Sequence, residues 1–305
     1  MTVSHDLAPP ILKADALTRR YGRKTALDGL ELSLSEPGVL ALLGPNGAGK
    51  TTFVQTALGL TRPSSGRLSV FGARPGDRAI RTRIGVMMQD TDLAHTLTGR
   101  ELLELFASYY PDPADLDALI ERCALGGFIR QRYGKLSGGQ KRRIQFALAL
   151  VGQPDLLFLD EPTTGLDTEA RRALWAIVRD VAASGTLVIL TTHYLEEADA
   201  LADRVVVLKD GRVIADDTAD GLRTRMGGAI IECVTALDDD ALNALPGLIA
   251  LSRSGRKLRL QVSNAVPALK ALFELDPELS DLGVAQPTLE DAFEALTGQP
   301  QTEGA

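Results

Sequence analysis

A glycine-rich run with a single lysine is the part of this sequence best suited to hold phosphate groups. It reads GPNGAGKT over residues 44–51 and fits the pattern G-x-x-x-x-G-K-[ST] at every position. Glycine lets the backbone curl until its N–H groups face phosphate oxygens, the lysine reaches the β- and γ-phosphates, and the hydroxyl after it can bind Mg²⁺. We expect nucleotide binding by this phosphate loop and by the threonine that follows it: Gly44, Pro45, Asn46, Gly47, Ala48, Gly49, Lys50, Thr51 and Thr52.

Two adjacent carboxylates, Asp160 and Glu161, end an apolar run in LLFLDEP (156–162). The carboxyl end of a strand is where ligands bind in open α/β sheets. Asp160 is suited to hold Mg²⁺, directly or through water, and Glu161 is suited to polarise an attacking water. A single acid before a proline can also cap a helix. Here a pair ends an apolar strand in a chain that already carries a phosphate loop, which favours catalysis.

Chemistry at these residues needs strands that end at one edge of a sheet. VLALL (39–43), LLFLD (156–160) and TLVILTT (186–192) are apolar runs without alternation, typical of strands buried on both faces. The segment 168–185 between the last two has its apolar residues on one helical face. Strand, helix and strand in this order predict parallel pairing with right-handed crossovers.

The alternation of strands and helices is interrupted once and then ends. The stretch from about 98 to 151 is rich in helical patterns and predicts an inserted helical subdomain. Residues 204–217 predict a hairpin that turns at Asp210-Gly211. No further phosphate-binding run follows, and residues 220–305 are predicted to form a small α+β domain.

The composition excludes several other classes of protein. The chain has 305 residues, 45% hydrophobic and 24% charged, as in ordinary globular proteins of about two domains. The longest apolar runs are too short for a membrane helix, and the first ten residues do not form a secretory signal. Cys123 and Cys233 lie far apart without a CxxC motif and are expected to be reduced, buried thiols. A net charge of −7 makes nucleic acid a poor partner.

The run LSGGQKRR (136–143) gives the chain a family resemblance. LSGGQ is the signature of the ATP-binding-cassette ATPases, the nucleotide-binding subunits of ABC transporters, and here it lies between the phosphate loop and the carboxylate strand. The resemblance covers about residues 11–217. It implies an α/β fold, a P-loop NTPase of ABC type with a mostly parallel sheet core, an antiparallel β part and an inserted helical subdomain at about 90–151. That domain would span residues 1–219 and precede the C-terminal accessory domain.

The resemblance assigns further site residues one at a time. Tyr21, in RRYGRKTALDGL, matches the aromatic residue that stacks on adenine. Gln89, in IGVMMQD, matches the glutamine that touches Mg²⁺ and the attacking water. Asp167, in TTGLD, matches the loop that meets the partner subunit. His193, in TLVILTTH, matches the histidine that contacts the γ-phosphate, so Gln89 and His193 would join Glu161 in catalysis.

The resemblance also implies a dimer. In ABC ATPases two copies meet head to tail, and ATP lies between the phosphate loop of one copy and the signature of the other. Four residues of the signature would offer a hydroxyl, backbone N–H groups and a helix N-terminus to that nucleotide: Ser137, Gly138, Gly139 and Gln140. Since the chain has one of each motif, it must pair with itself or with a related subunit, and the sequence leaves both open.

The tail QPTLEDAFEALTG (286–298) resembles the P-[ST]-L-E-D-x-F-x-x-L-T-G ending of the daunorubicin-resistance type of exporter ATPase. Leu289, Phe293 and Leu296 also fit one packed face of a closing helix. In that type, a separate integral membrane permease of about six spans, each about 20 apolar residues long, pairs with the ATPase. A short helix of the permease would dock in a groove near Gln89 and residues 90–106.

The same resemblance implies how the chain works in the cell. ATP and Mg²⁺ would be its cofactors, and it would sit in the cytoplasm on the inner face of the membrane, held there by the permease. Drug or antibiotic export is the favoured function. Export of an endogenous lipid or polysaccharide is an alternative, as is a soluble ABC ATPase that acts on the ribosome or on DNA.

Overall fold

A computed structural model of the chain describes residues 9–89 and 91–298. The expectation about a secretory signal falls almost entirely on residues 1–8, outside the described residues. The chain divides between Thr218 and Ala219 into two compact units. No helix in the described part of the chain is both long and apolar enough to cross a membrane.

The first unit combines two sheets with helices. Its strands are β1 (Leu12–Tyr21), β2 (Lys24–Leu34), β3 (Gly38–Leu43), β4 (Ser65–Val70), β5 (Ile84–Met87), β6 (Leu156–Asp160), β7 (Leu187–Thr191), β8 (Arg204–Lys209) and β9 (Arg212–Asp217). Its α-helices are α1 (Lys50–Ala57), α2 (Arg78–Arg81), α3 (Gly99–Ala107), α4 (Leu116–Arg122), α5 (Gly138–Leu150), α6 (Thr168–Ala183) and α7 (Leu195–Leu201). A 3-10 turn covers Tyr133–Lys135.

The larger sheet has the strand order β5-β6-β7-β3-β8-β9 and is parallel except for β9. Every residue of β6 and β7 is buried, as the uninterrupted apolar runs predicted. Alternate residues along β6 enter different cores. Leu157 and Leu159 face a core with α3, α5 and α6, whereas Leu156 and Phe158 face a core with α1 and the smaller sheet. Burying each such side chain contributes roughly 1.5–3 kcal/mol, which accounts for the unbroken apolar run of β6 before Asp160.

The smaller sheet and the helical insertion flank this core. The smaller sheet has the antiparallel strand order β2-β1-β4. Its strands β1 and β2 form a tight hairpin in which Tyr21 pairs with Lys24. Helices α3, α4 and α5 lie in sequence between β5 and β6, where the helical patterns predicted an insertion. The β8–β9 hairpin turns at Asp210-Gly211, also as predicted.

The second unit is an antiparallel sheet with helices. Its elements are α8 (Ala219–Met226), β10 (Ala229–Val234), α9 (Asp239–Asn243), β11 (Leu248–Ser254), β12 (Lys257–Val262), α10 (Ala265–Leu275), β13 (Ser280–Ala285) and α11 (Leu289–Thr297). The strand order is β11-β12-β10-β13. Leu289 and Phe293 of α11 are buried, and α11 packs against α8. The tail motif therefore lies on a core-packed helix.

The two cysteines lie in different cores. Cys123 is buried in the helical part of the first unit, and Cys233 is buried on β10. Both are free thiols, as expected. Burial raises the pKa of the Cys123 thiol to about 12, so the reactive thiolate is scarce at neutral pH.

Candidate functional site

The phosphate loop runs from the end of β3 to the start of α1 and can be built only with glycines. Gly44, Gly47 and Gly49 have φ of 153°, 84° and 109°. A Cβ atom on Gly44 would lie 2.3 Å from the carbonyl oxygen of Leu208, and one on Gly49 would lie 2.4 Å from that of Ala26. Neighbouring backbone thus encloses the loop on both sides and holds it in one curled shape.

The N-terminus of α1 lacks a side-chain cap. Gly49 occupies the cap position with left-handed backbone, and no side chain accepts a hydrogen bond from the first turn. Free N–H groups at a helix start carry the positive end of the helix dipole. The turn that begins at Lys50 is therefore prepared to bind an anion such as a phosphate group.

Lys50 lies between the loop and the carboxylates. Its Nζ donates hydrogen bonds to the carbonyl oxygens of Gly44 and, at 3.2 Å, of Pro45. Burial lowers the pKa of Lys50, while the charges of Glu161 and Asp160 raise it. The lysine is thus tethered to the loop within the field of both acids, a position from which it can move to a phosphate.

The two carboxylates occupy different settings. Asp160 ends β6, is 6% exposed, and accepts a hydrogen bond at Oδ1 from Thr191 Oγ1 on the neighbouring strand. Glu161 leaves the sheet through a left-handed backbone conformation with φ of 50°. Its own N–H donates to the Thr191 carbonyl at 2.9 Å. One carboxylate is therefore fixed in the sheet, and the next is turned toward different neighbours.

Glu161 joins the predicted catalytic residues into one cluster. Its Oε1 lies 3.0 Å from His193 Nδ1. Its Oε2 accepts a hydrogen bond from Gln89 Nε2 at 3.2 Å and one from Thr164 Oγ1 at 3.4 Å. Three segments far apart in sequence thus meet at one carboxylate that is 22% exposed. Such a carboxylate can accept a proton from a water molecule.

A cavity of about 270 Å³ brings most of the predicted site residues together. It is lined by Tyr21, Lys24, Ala26, Asn46, Gly47, Ala48, Gly49, Lys50, Thr51, Thr52, Gln89, Asp160 and Glu161. Gly44 and Pro45 are outside this lining and contact Lys50 instead, while His193 joins through Glu161. Tyr21 is 43% exposed and lies under the Arg19 guanidinium, 4.4 Å from the ring centroid.

The remaining predicted residues lie elsewhere in the unit. Ser137 and Gln140 form a capping box at the start of α5, and Gly138 and Gly139 are its first helical residues. Asp167 caps α6 by accepting a hydrogen bond from the Ala170 N–H at 2.8 Å. These five residues do not line the cavity. Within one chain these residues serve as helix starts.

Sequence reasoning missed several residues of the site. Lys24 and Ala26 line the cavity beside Tyr21, and Thr191 and Thr164 fix the two carboxylates. The sequence contained a signal for Lys24, because a basic residue that pairs with an aromatic residue across a tight turn lies beside the same ligand. The threonines had none, because their role depends on strand register.

A larger open groove of about 1220 Å³ contains none of the predicted site residues. It is formed mostly by residues 58–63, 66–69 and 72–76. We place the chemistry in the smaller cavity, because only there do a phosphate loop, a cation and two carboxylates meet.

Comparisons with known proteins agree with this geometry. The family described as ABC transporter matches residues 27–164. The daunorubicin resistance ATP-binding protein DrrA3 of Streptomyces coeruleorubidus is 41% identical, covering 96% of this chain and 97% of that protein. Nod factor export ATP-binding protein I of Ralstonia nicotianae is 36% identical, covering 95% and 94%. The solved structure of an ATP-binding subunit of an ABC transporter has a TM-score of 0.65 at 29% identity, covering 70% and 92%. The fold class expected from the sequence is confirmed.

Proposed function

This chain belongs to the ABC transporter family as an ATP-binding subunit of the daunorubicin-resistance type, and from that membership we propose how it binds ATP, hydrolyses it and drives export. Proteins of this family are ATPases, and their cassette binds ATP. The observation that supports the proposal most is the contact of Glu161 with both Gln89 and His193 beside the phosphate loop.

ATP binding begins at the two ends of the cavity. Tyr21 lines the cavity and is 43% exposed, and it would stack on adenine there. The uncapped start of α1 and the N–H groups of the curled loop would hold the phosphates. Lys50 would exchange its neutral carbonyl partners for β- and γ-phosphate oxygens, so that both donor and acceptor would carry charge.

The residues beside the phosphates fit Mg²⁺. This ion prefers oxygen ligands and is usually held by one or two protein groups together with phosphates and water. Thr51 offers a hydroxyl and Asp160 a carboxylate, directly or through water. Gln89 donates its Nε2 to Glu161, which leaves its amide oxygen as the third candidate ligand. When bound, the ion would neutralise charge on the phosphate oxygens.

Glu161 is the proposed general base. Its carboxylate would accept a proton from the water that attacks the γ-phosphate, and Gln89 would orient that water. His193 Nδ1 lies at hydrogen-bond distance from Glu161. His193 would contact the γ-phosphate through its other ring nitrogen, Nε2.

Glu161→Gln tests the assignment of the base. Removing a general base slows hydrolysis by about 10²- to 10⁴-fold, while ATP binding survives, so an ATP-bound dimer should accumulate. Phosphate release and the mass of the complex with ATP measure both effects. The matched control is Glu169→Gln, an exposed acid in the first turn of α6. A Glu161→Gln chain that hydrolyses ATP at the parent rate would contradict the assignment.

The proposed active unit contains two chains. Ser137, Gly138 and Gly139 lie at a helix start outside the cavity, which supports their delivery to the γ-phosphate of a second copy. Gln140 and Asp167 would lie at the same interface. A homodimer would have two complete sites. ATP would then hold the copies together until hydrolysis removes the bridging phosphate.

The proposed work of the dimer is to drive a separate membrane permease of about six spans from the cytoplasmic face of the membrane. A cavity of about 180 Å³ supports a docking groove beside Gln89, because its lining joins β5 to the helical insertion through Leu93 and Phe106. We propose that residues 1–219 form the motor, with its helical subdomain at about 90–151, and that 220–305 form an accessory domain.

The surface of α3 offers a test of that groove. Glu101 belongs to the capping box of α3, so reversing its charge would also weaken the helix. Glu104 pairs with Arg100 at 3.0 Å and is the better choice. Glu104→Lys is expected to reduce assembly with the permease and transport. Unchanged assembly and transport would contradict the placement of the groove.

Drug or antibiotic export is the proposed substrate class. Two relatives named for daunorubicin resistance share 41% identity with this chain and a third shares 34%, while Nod factor export proteins share 36% to 39%. The test is purification of the tagged chain from detergent-solubilised membranes of its own cell. A permease of about six spans in one-to-one ratio would support export. Ribosomal or DNA-bound partners in its place would be compatible with an ATPase but would contradict the exporter function.

A further inference from the structure

Arg142, on the helix that the signature begins, reaches into the catalytic cluster. It is 8% exposed. Its Nη1 donates to the carbonyl oxygen of Gln89 at 3.2 Å and to that of Met88 at 3.4 Å. Its Nη2 donates to the carbonyl oxygen of Glu161 at 2.5 Å and to that of Asp160 at 3.4 Å. One guanidinium thus contacts the backbone of both segments that present catalytic side chains.

These carbonyls lie where the sheet stops satisfying them. The parallel pairing of β5 with β6 ends at Met87 and Leu159. Beyond that point the two segments no longer pair with each other, and the carbonyl oxygens of residues 88–89 and 160–161 need other donors. The planar guanidinium has donors that diverge in a fixed fork, so it can bridge two backbone segments. An ammonium group acts as a compact point charge. Arg142 continues, with a side chain, the hydrogen bonding that the strands no longer provide.

The same side chain is linked to the helical insertion. Arg142 Nη1 also donates to Gln145 Oε1 at 3.3 Å. Gln145 Nε2 donates to the Thr91 carbonyl oxygen at 3.1 Å and to the Tyr133 hydroxyl oxygen at 2.9 Å. Helix α5, which Ser137 caps, is therefore connected by hydrogen bonds to the segments on both sides of the cluster.

We propose that Arg142 is a positioning residue, which holds the backbones of Gln89 and Glu161 at the separation that hydrolysis requires. It also ties that separation to the position of α5 and so to the signature. A displacement of α5 when the signature meets a second copy would be transmitted to Glu161 through these hydrogen bonds. The inference deepens the proposed function and rests on it.

The test is the ATPase activity of full-length Arg142→Lys and Arg142→Gln, measured as separate kcat and KM values. A misplacement of about 1 Å can cost about 10²-fold in rate, so kcat should fall by about that factor. KM for ATP should change by less than about 3-fold, because the phosphate loop is untouched. Even where lysine restores folding, it should restore little of the rate, because it cannot bridge the two backbone segments.

Arg204→Gln is the matched control. Arg204 donates to both carboxylate oxygens of Asp216 and to the carbonyl oxygen of Ser33, and it lies at the start of β8, outside the cavity. Its loss should lower Tm and leave kcat unchanged. An Arg142→Lys chain that is folded and retains the parent kcat overturns the proposal. So does a loss of kcat no larger than that of an Arg204→Gln chain of equal Tm.

A double variant separates positioning from general loss of structure. If Arg142 acts through Glu161, Arg142→Lys should not slow a Glu161→Gln chain further, and that chain should still form its ATP-bound dimer. Additive losses in the double variant would contradict a shared path. A parent chain without ATPase activity would contradict the proposed function itself, and the role of Arg142 with it.

Discussion

Two helices of the first unit begin at glycine-rich turns, and they treat their free backbone N–H groups in opposite ways. Helix α1 starts after Gly49, whose left-handed backbone provides no side-chain cap. Helix α5 starts after Ser137, whose Oγ accepts from the Gln140 N–H at 3.3 Å, while Gln140 Oε1 accepts from the Ser137 N–H at 2.9 Å. The N–H groups at the start of α1 have no side-chain acceptor and are available to a ligand. Those at the start of α5 are capped by side chains of the same helix start.

The surroundings of the two helix starts differ in the same sense. The start of α1 opens into a cavity with Tyr21, Gln89 and two carboxylates. The start of α5 faces a neighbouring loop, and a Cβ on Gly139 would lie 3.2 Å from Leu166 Cδ2. The start of α1 therefore leaves its N–H donors available to a phosphate, whereas the start of α5 is capped and packed within its own chain. In the dimer proposed above, the start of α5 would exchange a cap worth about 1 kcal/mol for a phosphate bound to a second chain.

Glycine replacement at the start of α1 should have a larger effect than the other changes proposed here. Gly49→Ala places a Cβ 2.4 Å from the Ala26 carbonyl oxygen at a φ of 109°, so we expect loss of measurable ATP binding and a lower Tm. Gly138→Ala adds a Cβ with no atom within 4 Å, and the single chain should keep both. Nucleotide titration and thermal melts measure the two properties. Equal effects of the two changes would refute the contrast.

Lysine replacement should produce the next largest effect. Lys50→Ala removes a charged donor, whose hydrogen bonds are worth about 1.5–3 kcal/mol, so ATP affinity should fall by about 10- to 100-fold. Lys141→Ala removes the same charge near the other helix start and should leave the affinity of the single chain unchanged. Titration with a fluorescent ATP analogue compares them. Unchanged nucleotide binding by Lys50→Ala would remove its phosphate role.

Serine replacement at the start of α5 should separate capping from the role proposed for the Ser137 hydroxyl. Ser137→Ala loses the cap, at a cost of about 1 kcal/mol, and also loses the hydroxyl proposed for the second copy. Ser137→Asn should restore the cap but not that hydroxyl. We expect Asn to recover Tm without recovering the ATP-dependent dimer, assayed in the Glu161→Gln background. Recovery of the dimer by Asn would show that capping alone matters there.

The smallest expected effect comes from a carboxyl away from both helix starts. Glu197 on α7 is fully buried and accepts from Trp175 Nε1 at 3.1 Å. Burial raises the pKa of Glu197 above its usual 4.5. Between 4.5 and the raised pKa, the folded state therefore keeps a proton that the unfolded state has lost. Stability therefore decreases as pH rises from about 4.5 through the raised value.

Glu197→Gln should remove that part of the pH dependence. The Tm of the variant, relative to the parent, should increase between pH 5 and pH 8, with ATP affinity unchanged at each pH. Glu169→Gln is exposed and should show no such trend. A difference in Tm that is constant across this range would mean that Glu197 does not titrate on unfolding.

The sequence predicted the elements whose burial is uniform and missed those that depend on distant partners. Strands β6 and β7 are buried at every residue, so their apolar runs identify them directly. Strand β13 is exposed at every residue and has neither an apolar run nor a buried face. It forms because β10 pairs with it, which no local pattern records.

The same distinction holds within the site. The phosphate loop follows a spacing rule that its glycines enforce locally, and the structure places it as that rule requires. Arg142 follows a glycine pair in a basic run that resembles a solvated helix start, yet it is buried by carbonyls 53 and 19 residues away. Glu197 resembles an ordinary acid of a first helical turn and is fully buried. Tertiary contacts, not composition, determine both.

The left-handed backbone of Glu161 means that the proposed base lowers the stability of the fold. A residue other than glycine in that region costs of order 1–3 kcal/mol, and glycine or asparagine there would relieve most of it. A copy of the chain that no longer needed hydrolysis would gain stability from either replacement. The proposed activity and the stability of the fold are therefore opposed at this one residue.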